Sequence, residues 1–197
     1  MRTPDPQAVL DYWLDPTKTI GQRVQHWFAG TPEIDAEIRA RFEPWVEAAE
    51  RGELKPWEDD PWTCLALLIL IDQFSLNIYR DQPRSFRNTD LGLPIALRAL
   101  EKGFDQKVEP LDRLFYYLPL EHAENLEIQN RSVALFEKLL VQAAPEQRSF
   151  MESFLDYALK HREVIQRFGR YPDRNPILGR QHTPDEAAYM AAGGPPF

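Results

Sequence analysis

The sequence predicts an all-α protein of about eight or nine helices, and two observations carry that prediction. Apolar residues recur every three or four positions along almost the whole chain, and no segment shows the sustained alternation of a half-buried strand. The 17 prolines outnumber the 9 glycines and stand mostly at predicted helix starts or in short connections. Short connections favour antiparallel helical hairpins. Because no clear self-similarity recurs every 34 or so residues, both a bundle and a degenerate solenoid fit.

Local signals set the boundaries of each predicted helix. Asp5-Pro6 and Asp60-Pro61 each pair an N-cap with a first-turn proline, and residues 183–186 form a capping box. Gly52, Gly103 and Gly169 stand where helices should stop. The predicted helices cover residues 7–14, 21–28, 33–51, 61–79, 90–102, 110–118, 121–142, 146–168 and the chain from 184 onward. Residues 80–89 are predicted to form a polar loop, and Pro119 is predicted to interrupt a helix.

Length and composition limit the class of protein. The chain is expected to form a single helical domain over residues 1–197, since 43% hydrophobic and 12% aromatic content is typical of a globular protein. With 31 acidic against 23 basic side chains, the net charge of -8 opposes non-specific attraction to nucleic acid or an anionic membrane. We therefore expect neither as a partner.

The sequence also gives expectations about location and cofactors. Its start lacks the apolar region of a signal peptide, and its longest apolar run is far shorter than the roughly 20 residues that span a bilayer. We therefore expect a cytoplasmic protein. Cys64 lies in an apolar run and is expected to be a buried hydrophobe rather than a nucleophile. No cofactor is indicated, and the oligomeric state is left open.

An acid ends the most hydrophobic run of the chain, "LALLILIDQF". On a helical wheel Leu65, Leu68 and Asp72 share one face, which places Asp72 inside an apolar stripe. A buried carboxylate costs several kcal/mol unless it is paired, so we expect Asp72 to have a cation, a histidine or several N–H donors beside it, with Arg80, His161 or the C-terminal arginines as candidates. A second polar stripe follows on the same helix at Gln73, Asn77 and Arg80.

Three further polar groups lie in or beside apolar segments. His161 interrupts the apolar stripe of the predicted helix 146–168, and Glu121, His122 and Glu124 crowd the segment after Pro119. The third group is a run of arginines at Arg162, Arg167, Arg170, Arg174 and Arg180. Each has a structural alternative, because buried ionisable pairs fix helix packing, carboxylates suit helix N-termini and arginines suit C-termini. No Gly-rich phosphate loop, zinc pattern or nucleophile elbow is present.

Three longer motifs carry a resemblance to a known family. They read "LILIDQF..NIYR..PR.F", "YYLPLEHAE" and "HREVIQRFGRYPDRNPILGR..TPDE" in chain order. Together they resemble the bacterial domain-of-unknown-function family 924, over nearly the whole chain. That family is assigned to the tetratricopeptide-like α-helical superfamily, so the resemblance implies antiparallel hairpins stacked in a compact right-handed array. It implies no biochemical activity.

Three positions depart from the family's usual pattern. Leu76 stands where the family has arginine, Ala123 where it has serine and Asp173 where it has histidine. Any role that needs that arginine, hydroxyl or imidazole is not carried over to this chain.

The leading hypothesis is a polar pocket that binds a small anionic molecule. Candidate ligand-binding residues are Arg80, Arg84, Arg170, Arg174, Asn77, Gln73, Asn175 and Glu124. If chemistry follows, the catalytic candidates are His122, His161, Asp72 and Glu121, with a histidine as general acid or base. The alternative is a non-catalytic tetratricopeptide-like scaffold that binds a protein or peptide and uses the same groups as salt bridges between hairpins. A metal site on Glu121, Glu124, His122 and His161 is a third hypothesis, with weak spacing.

Overall fold

The structure, a computed structural model, describes residues 3–194, and every regular element within that range is helical. The described part of the chain contains nine helices: α1 Pro6–Leu14, α2 Ile20–Phe28, α3 Pro32–Glu50, α4 Pro61–Ile78, α5 Pro83–Glu101, α6 Leu114–Glu121, α7 Leu126–Gln142, α8 Arg148–Phe168 and α9 Pro184–Ala191. Short 3-10 turns cover Lys55–Asp59, Phe104–Lys107 and Pro172–Arg174. The predicted all-α class is confirmed.

Side-chain caps explain why most helices begin where they do. The Asp5 carboxylate accepts a hydrogen bond from the Gln7 amide, and Asp60 accepts from the amides of Trp62 and Thr63. Thr19 and Thr183 each form a complete capping box. These caps satisfy amide groups that the first helical turn leaves without partners, so local sequence alone defines these starts.

The predicted loop at residues 80–89 is wrong, because α5 begins at Pro83. The polar residues of its first turns are used inside the protein. Asn88 and Thr89 are buried, with the Asn88 amide donating to Ser75 Oγ at 2.9 Å and Thr89 Oγ1 donating to the Phe86 carbonyl at 2.7 Å. Polar composition indicated a solvated loop, whereas internal hydrogen bonds make this segment helical.

The predicted interruption at Pro119 is also wrong. Pro119 lies within α6, where it cannot donate the helical hydrogen bond to the carbonyl of Phe115, yet α6 continues to Glu121. The next helix starts five residues later, after Asn125 caps the Ile128 amide. Glu121 therefore ends a helix instead of beginning one, and the helix dipole does not favour its charge there.

The described chain forms two compact units. The first contains the residues up to Arg80 together with Arg84–Pro119, and the second contains Asp81–Pro83 and the chain from Leu120 onward. The expectation of a single domain stays a prediction.

In the first unit α4 is the central helix, packed against α1 and α3. Its apolar side chains are buried almost all round, and Leu65, Leu68 and Ile69 have no exposed surface. The window Pro61–Ile78 is long and apolar enough to suit a membrane span, but 78% of it is buried inside the structure. A buried core helix can be equally long and apolar, so this helix is weak evidence for a membrane.

The middle of α4 departs from α-helical geometry. Ile69–Phe74, which contains the Asp72-Gln73 pair, is a π-helical segment. Such segments are rare and often lie at functional sites. Here the wider turn changes the phase of the helix, so the side chains after Phe74 do not continue the stripe drawn on an ideal wheel.

In the second unit α7 and α8 form an antiparallel hairpin. Val133, Phe136 and Phe154 pack in its core. Gly169 ends α8 with φ +73°, the left-handed conformation that glycine adopts without steric cost. The chain then returns along the end of α8, where Tyr171 packs with Val164 and Ile165.

Candidate functional site

The acid at the end of the apolar run is buried in the first unit. Asp72 is 1% exposed, and Gln73 Nε2 donates to Asp72 Oδ2 at 2.6 Å. Gly92 of α5 lies beside it, so close that a Cβ added at this glycine would be 3.9 Å from Asp72 Cβ. A neighbouring amide thus supplies part of the polar environment that a buried carboxylate requires.

Asn77 and Arg80, at the end of α4, meet at one carboxylate of α3. Arg80 donates from Nε and Nη2 to Asp35 at 2.7 and 2.9 Å, and Asn77 Nδ2 donates to the same group at 2.8 Å. Burial alone would raise the pKa of Asp35, but these donors outweigh it and hold the pKa below its usual value. The two residues therefore anchor α4 to α3.

Arg84 makes a similar pair in the same unit. It donates from Nε and Nη2 to Glu50 at 2.9 and 2.6 Å and stacks over the Tyr79 ring at 4.1 Å. Asn88 also donates to Glu50. Arg80 and Arg84 were both predicted to hold a ligand, and the structure places each guanidinium on a carboxylate of α3.

The second unit contains a cluster of ionisable side chains that we call the polar cluster: Glu121, His122, His161, Tyr171 and Arg174. At its centre His161 is 6% exposed, with Nδ1 2.8 Å from the Tyr157 carbonyl and 3.2 Å from Glu121 Oε1. A carbonyl oxygen only accepts hydrogen bonds, so the hydrogen is on Nδ1. Burial lowers the pKa of His161 to about 3, and His122 and Arg174 act in the same direction. The ring is neutral at pH 7.

Arg174 stacks on the same aromatic ring that His161 contacts. Its guanidinium is 4.2 Å from the centre of the Tyr171 ring, which meets the His161 ring edge-on at 5.7 Å. Arg174 is 4% exposed and donates from Nη1 to the His122 carbonyl at 3.0 Å. The His122 ring is half-buried and its centre is 6.4 Å from that of His161. Two imidazoles, one guanidinium and one phenol ring are thus packed together.

A buried amide supports the cluster from α7. Gln129 Nε2 donates to the Glu121 carbonyl at 2.6 Å and to Tyr171 Oη at 2.8 Å, and Tyr171 Oη donates to the Glu121 carbonyl at 2.6 Å. The carbonyl groups at the end of α6 have no partner within their own helix, so these donors fix the backbone that carries Glu121 and His122.

The remaining candidates of the second unit hold the segment between α8 and α9. Arg170 pairs with Glu186 at 2.6 and 2.8 Å, and Arg180 pairs with Glu124 at 2.6 and 2.8 Å. Asn175 joins the two pairs by donating to Glu186 at 3.2 Å and accepting from Arg180 at 2.8 Å. Arg170 and Arg174 were predicted to act together, and the structure assigns them different surroundings.

Several residues that bond to the candidates were not among the predicted site residues. They are Asp35, Glu50, Asn88, Gln129, Tyr171 and Glu186. Gln129 was detectable, because it shares a buried helical face with Ser132, Val133 and Phe136. Asp35 and Glu50 carried no signal, since each looks like any surface acid of an amphipathic helix.

The hypothesis of a metal site gains no support from the geometry. Within residues 3–194, no group of three or more His, Cys, Asp or Glu side chains is placed to hold a metal ion. Glu124 instead accepts hydrogen bonds from Arg180 and from the Tyr171 amide.

Fold and site together define an all-helical protein with a buried cluster of ionisable groups. The chain belongs to the family described as bacterial protein of unknown function (DUF924), whose model matches residues 9–194. A solved structure, that of a protein of unknown function, ATU0120, from Agrobacterium tumefaciens, is 33% identical, with a TM-score of 0.81. The match covers 95% of this chain and 97% of that one. No curated protein matches the sequence.

Proposed function

We propose that the protein binds a small anionic ligand at the polar cluster of its second unit. The observation that carries this proposal is the burial of Arg174 and the neutral His161 against one shared ring, that of Tyr171. Arg174 provides the positive charge, and its planar group suits a carboxylate or phosphate. A cluster of buried ionisable groups that includes one strongly perturbed pKa is a recurring feature of functional sites.

Arg174 is the arginine that best fits this role. Arg80, Arg84 and Arg170 each donate two hydrogen bonds to one carboxylate within their own unit. Such pairs already neutralise the guanidinium, so a ligand would have to displace a bidentate partner. We therefore assign these three arginines a structural role, and we place the proposed anion site at Arg174 because it is buried against Tyr171, the ring that His161 also contacts, and donates to the His122 carbonyl.

His161 fits ligand binding better than acid–base catalysis. A pKa of about 3 makes the imidazole a weak base at pH 7, and an efficient general base has a pKa near the working pH. Glu121 and the Tyr157 carbonyl fix the ring orientation through Nδ1. With its hydrogen on Nδ1, the ring offers Nε2 as a hydrogen-bond acceptor, which suits an anionic ligand that also carries a hydroxyl group or an acidic hydrogen. Glu121 acts as the positioning partner of the ring.

Histidine-selective NMR tests this proposal. Inorganic phosphate, sulfate, and mono- and dicarboxylates are titrated into protein with isotope-labelled histidines. We expect at least one anion to shift the His122 and His161 ring signals in a saturable manner, and Arg174→Gln to abolish the shift. The matched control is Arg131→Gln, which removes an exposed guanidinium of α7 in the same unit and should respond like wild type.

A result in which no anion shifts either ring contradicts the proposal. An equal response in Arg174→Gln and in wild type contradicts it as well, because the positive charge would then play no part in binding.

A second function, a non-catalytic scaffold for protein partners, is favoured by the ion pairs themselves. Asp35–Arg80 and Glu50–Arg84 join separate helices, as expected if the polar residues only fix helix packing. The tetratricopeptide-like relationship, which stays a prediction, would suit this function. The scaffold proposal predicts that Arg174→Gln lowers stability without changing any response to anions.

A further inference from the structure

The first unit contains an open cleft away from the Asp35 and Glu50 ion pairs. Its volume is about 500 Å³, within the usual range for small-molecule sites of roughly 300 to 1,000 Å³. Leu10 and Leu14 of α1 and Trp62 of α4 form its apolar wall. Trp62 is 40% exposed, an unusual position for the largest apolar side chain, and its ring faces the cleft.

The polar lining of the cleft is predominantly acidic. Asp11 and Glu109 are exposed, whereas Asp112 is buried and paired with Arg23. Arg23 is held on Asp112 and stacks over Trp27 at 5.0 Å, so it is already engaged. Three carboxylates against one guanidinium leave an excess of negative charge facing an apolar wall.

Only one of the three acids is buried. Asp112 is 6% exposed, and burial raises its pKa even though the Arg23 charge opposes that rise. Asp11 and Glu109 are exposed, so they are the carboxylates that an entering cation reaches from solvent.

We propose that this cleft binds a small organic cation that has an apolar body, such as an arylalkylammonium ion. The charge meets Asp11 and Glu109, and the apolar part lies along Leu10, Leu14 and the Trp62 ring. Cation–π attraction to the indole adds to both contacts. The site is independent of the polar cluster, so either proposal can fail without the other.

The test uses the full chain and the indole NMR signal of Trp62, which is assigned by its loss in Trp62→Leu. The probes are 3-phenylpropylammonium and its neutral relative 3-phenylpropanol. We expect the ammonium probe to shift the Trp62 signal and to bind at least about threefold more tightly than the alcohol. Added salt should narrow that difference, because Asp11 and Glu109 are exposed.

A second variant tests the acidic part of the site. Glu109→Gln should weaken binding of the ammonium probe, reported by the Trp62 signal, but leave the alcohol unchanged. Glu127→Gln, an exposed acid of α7, is the matched control and should bind both probes like wild type. Equal affinity for the two probes, no shift of the Trp62 signal at roughly millimolar probe, or no effect of Glu109→Gln would each overturn the proposal.

Discussion

At the scale of single residues, the behaviour of His161 follows from what surrounds each part of the ring. Nδ1 faces a carbonyl and a carboxylate, which fixes the hydrogen on that atom. Burial, His122 and Arg174 all oppose a positive charge, and together they lower the pKa to about 3. The histidine that first looked like an acid–base candidate is therefore a neutral hydrogen-bonding group at pH 7.

This lowered pKa predicts how the free energy of unfolding depends on pH. The unfolded chain binds a proton at His161 below about pH 6.5, whereas the folded chain does so only near pH 3. Stability is therefore highest above pH 6.5 and is lost as the pH falls through that window. Between pH 6.5 and about 5, we expect wild type to lose about 1.5 kcal/mol more than His161→Gln, measured by urea unfolding.

The range from pH 6.5 to about 5 lies above the pH at which most carboxyl groups titrate. His26, whose pKa is also lowered, is present in both proteins, so its contribution cancels in the comparison. Gln166→Ala, a change at an exposed residue of α8 that carries no titratable group, serves as the control and should follow the wild-type pH dependence. Parallel pH profiles for wild type and His161→Gln would mean that His161 titrates alike in the folded and unfolded chains.

At the scale of elements, carboxylates between helices hold the fold of each unit. Glu186 shows this most clearly, because it accepts from Arg170, from Asn175 and from the Thr183 amide of its own capping box. The hydrogen bonds from Arg170 outweigh burial and lower the pKa of Glu186 to about 2. One side chain thus starts α9 and fixes the segment that carries Arg174.

Glu186→Gln should therefore be far more costly than a change at its neighbour. We expect it to lower the free energy of unfolding by about 2–3 kcal/mol, since it removes the charge that pairs with Arg170 and weakens the cap. Asp185→Asn, one position earlier and exposed, should change stability by less than about 0.5 kcal/mol. Urea unfolding at neutral pH measures both.

Comparing the stability of wild type and Glu186→Gln at low pH tests the Glu186 charge a second time. The contribution of Glu186 is present above pH 4.5 and is lost as the pH falls toward about 2, so wild type and Glu186→Gln should converge in that range. Equal stability of wild type and Glu186→Gln at neutral pH would mean that the Arg170–Glu186 pair contributes nothing to the free energy of unfolding.

At the scale of the whole molecule, the sequence predicted what depends on neighbours in the chain. Helix class and most boundaries were correct because caps such as Asp60 and Thr183, and stops such as Gly169, act over a few residues. The error at Pro83 arose because Asn88 and Thr89 satisfy their polar groups inside the protein, where composition predicts solvent.

The candidate site was only partly predictable, for a related reason. The sequence identified His161 and Arg174 as unusual but not which arginine pairs with which acid. Arg80 and its partner Asp35 are 45 residues apart, and nothing in the local pattern links them. The π-helical turn at Ile69–Phe74 likewise results from packing that periodicity does not encode.

The most direct test of the central claim is the melting temperature with and without anions. At 100 times its dissociation constant, a ligand of the folded state stabilises by about 2.7 kcal/mol, or roughly 5–10 °C for a chain of this size. We predict such a rise for at least one of phosphate, sulfate or a small carboxylate in wild type and in Arg131→Gln, a change at an exposed arginine of α7, and none in Arg174→Gln. An unchanged melting temperature with every anion, or an equal rise in Arg174→Gln, would contradict an anion site at the polar cluster.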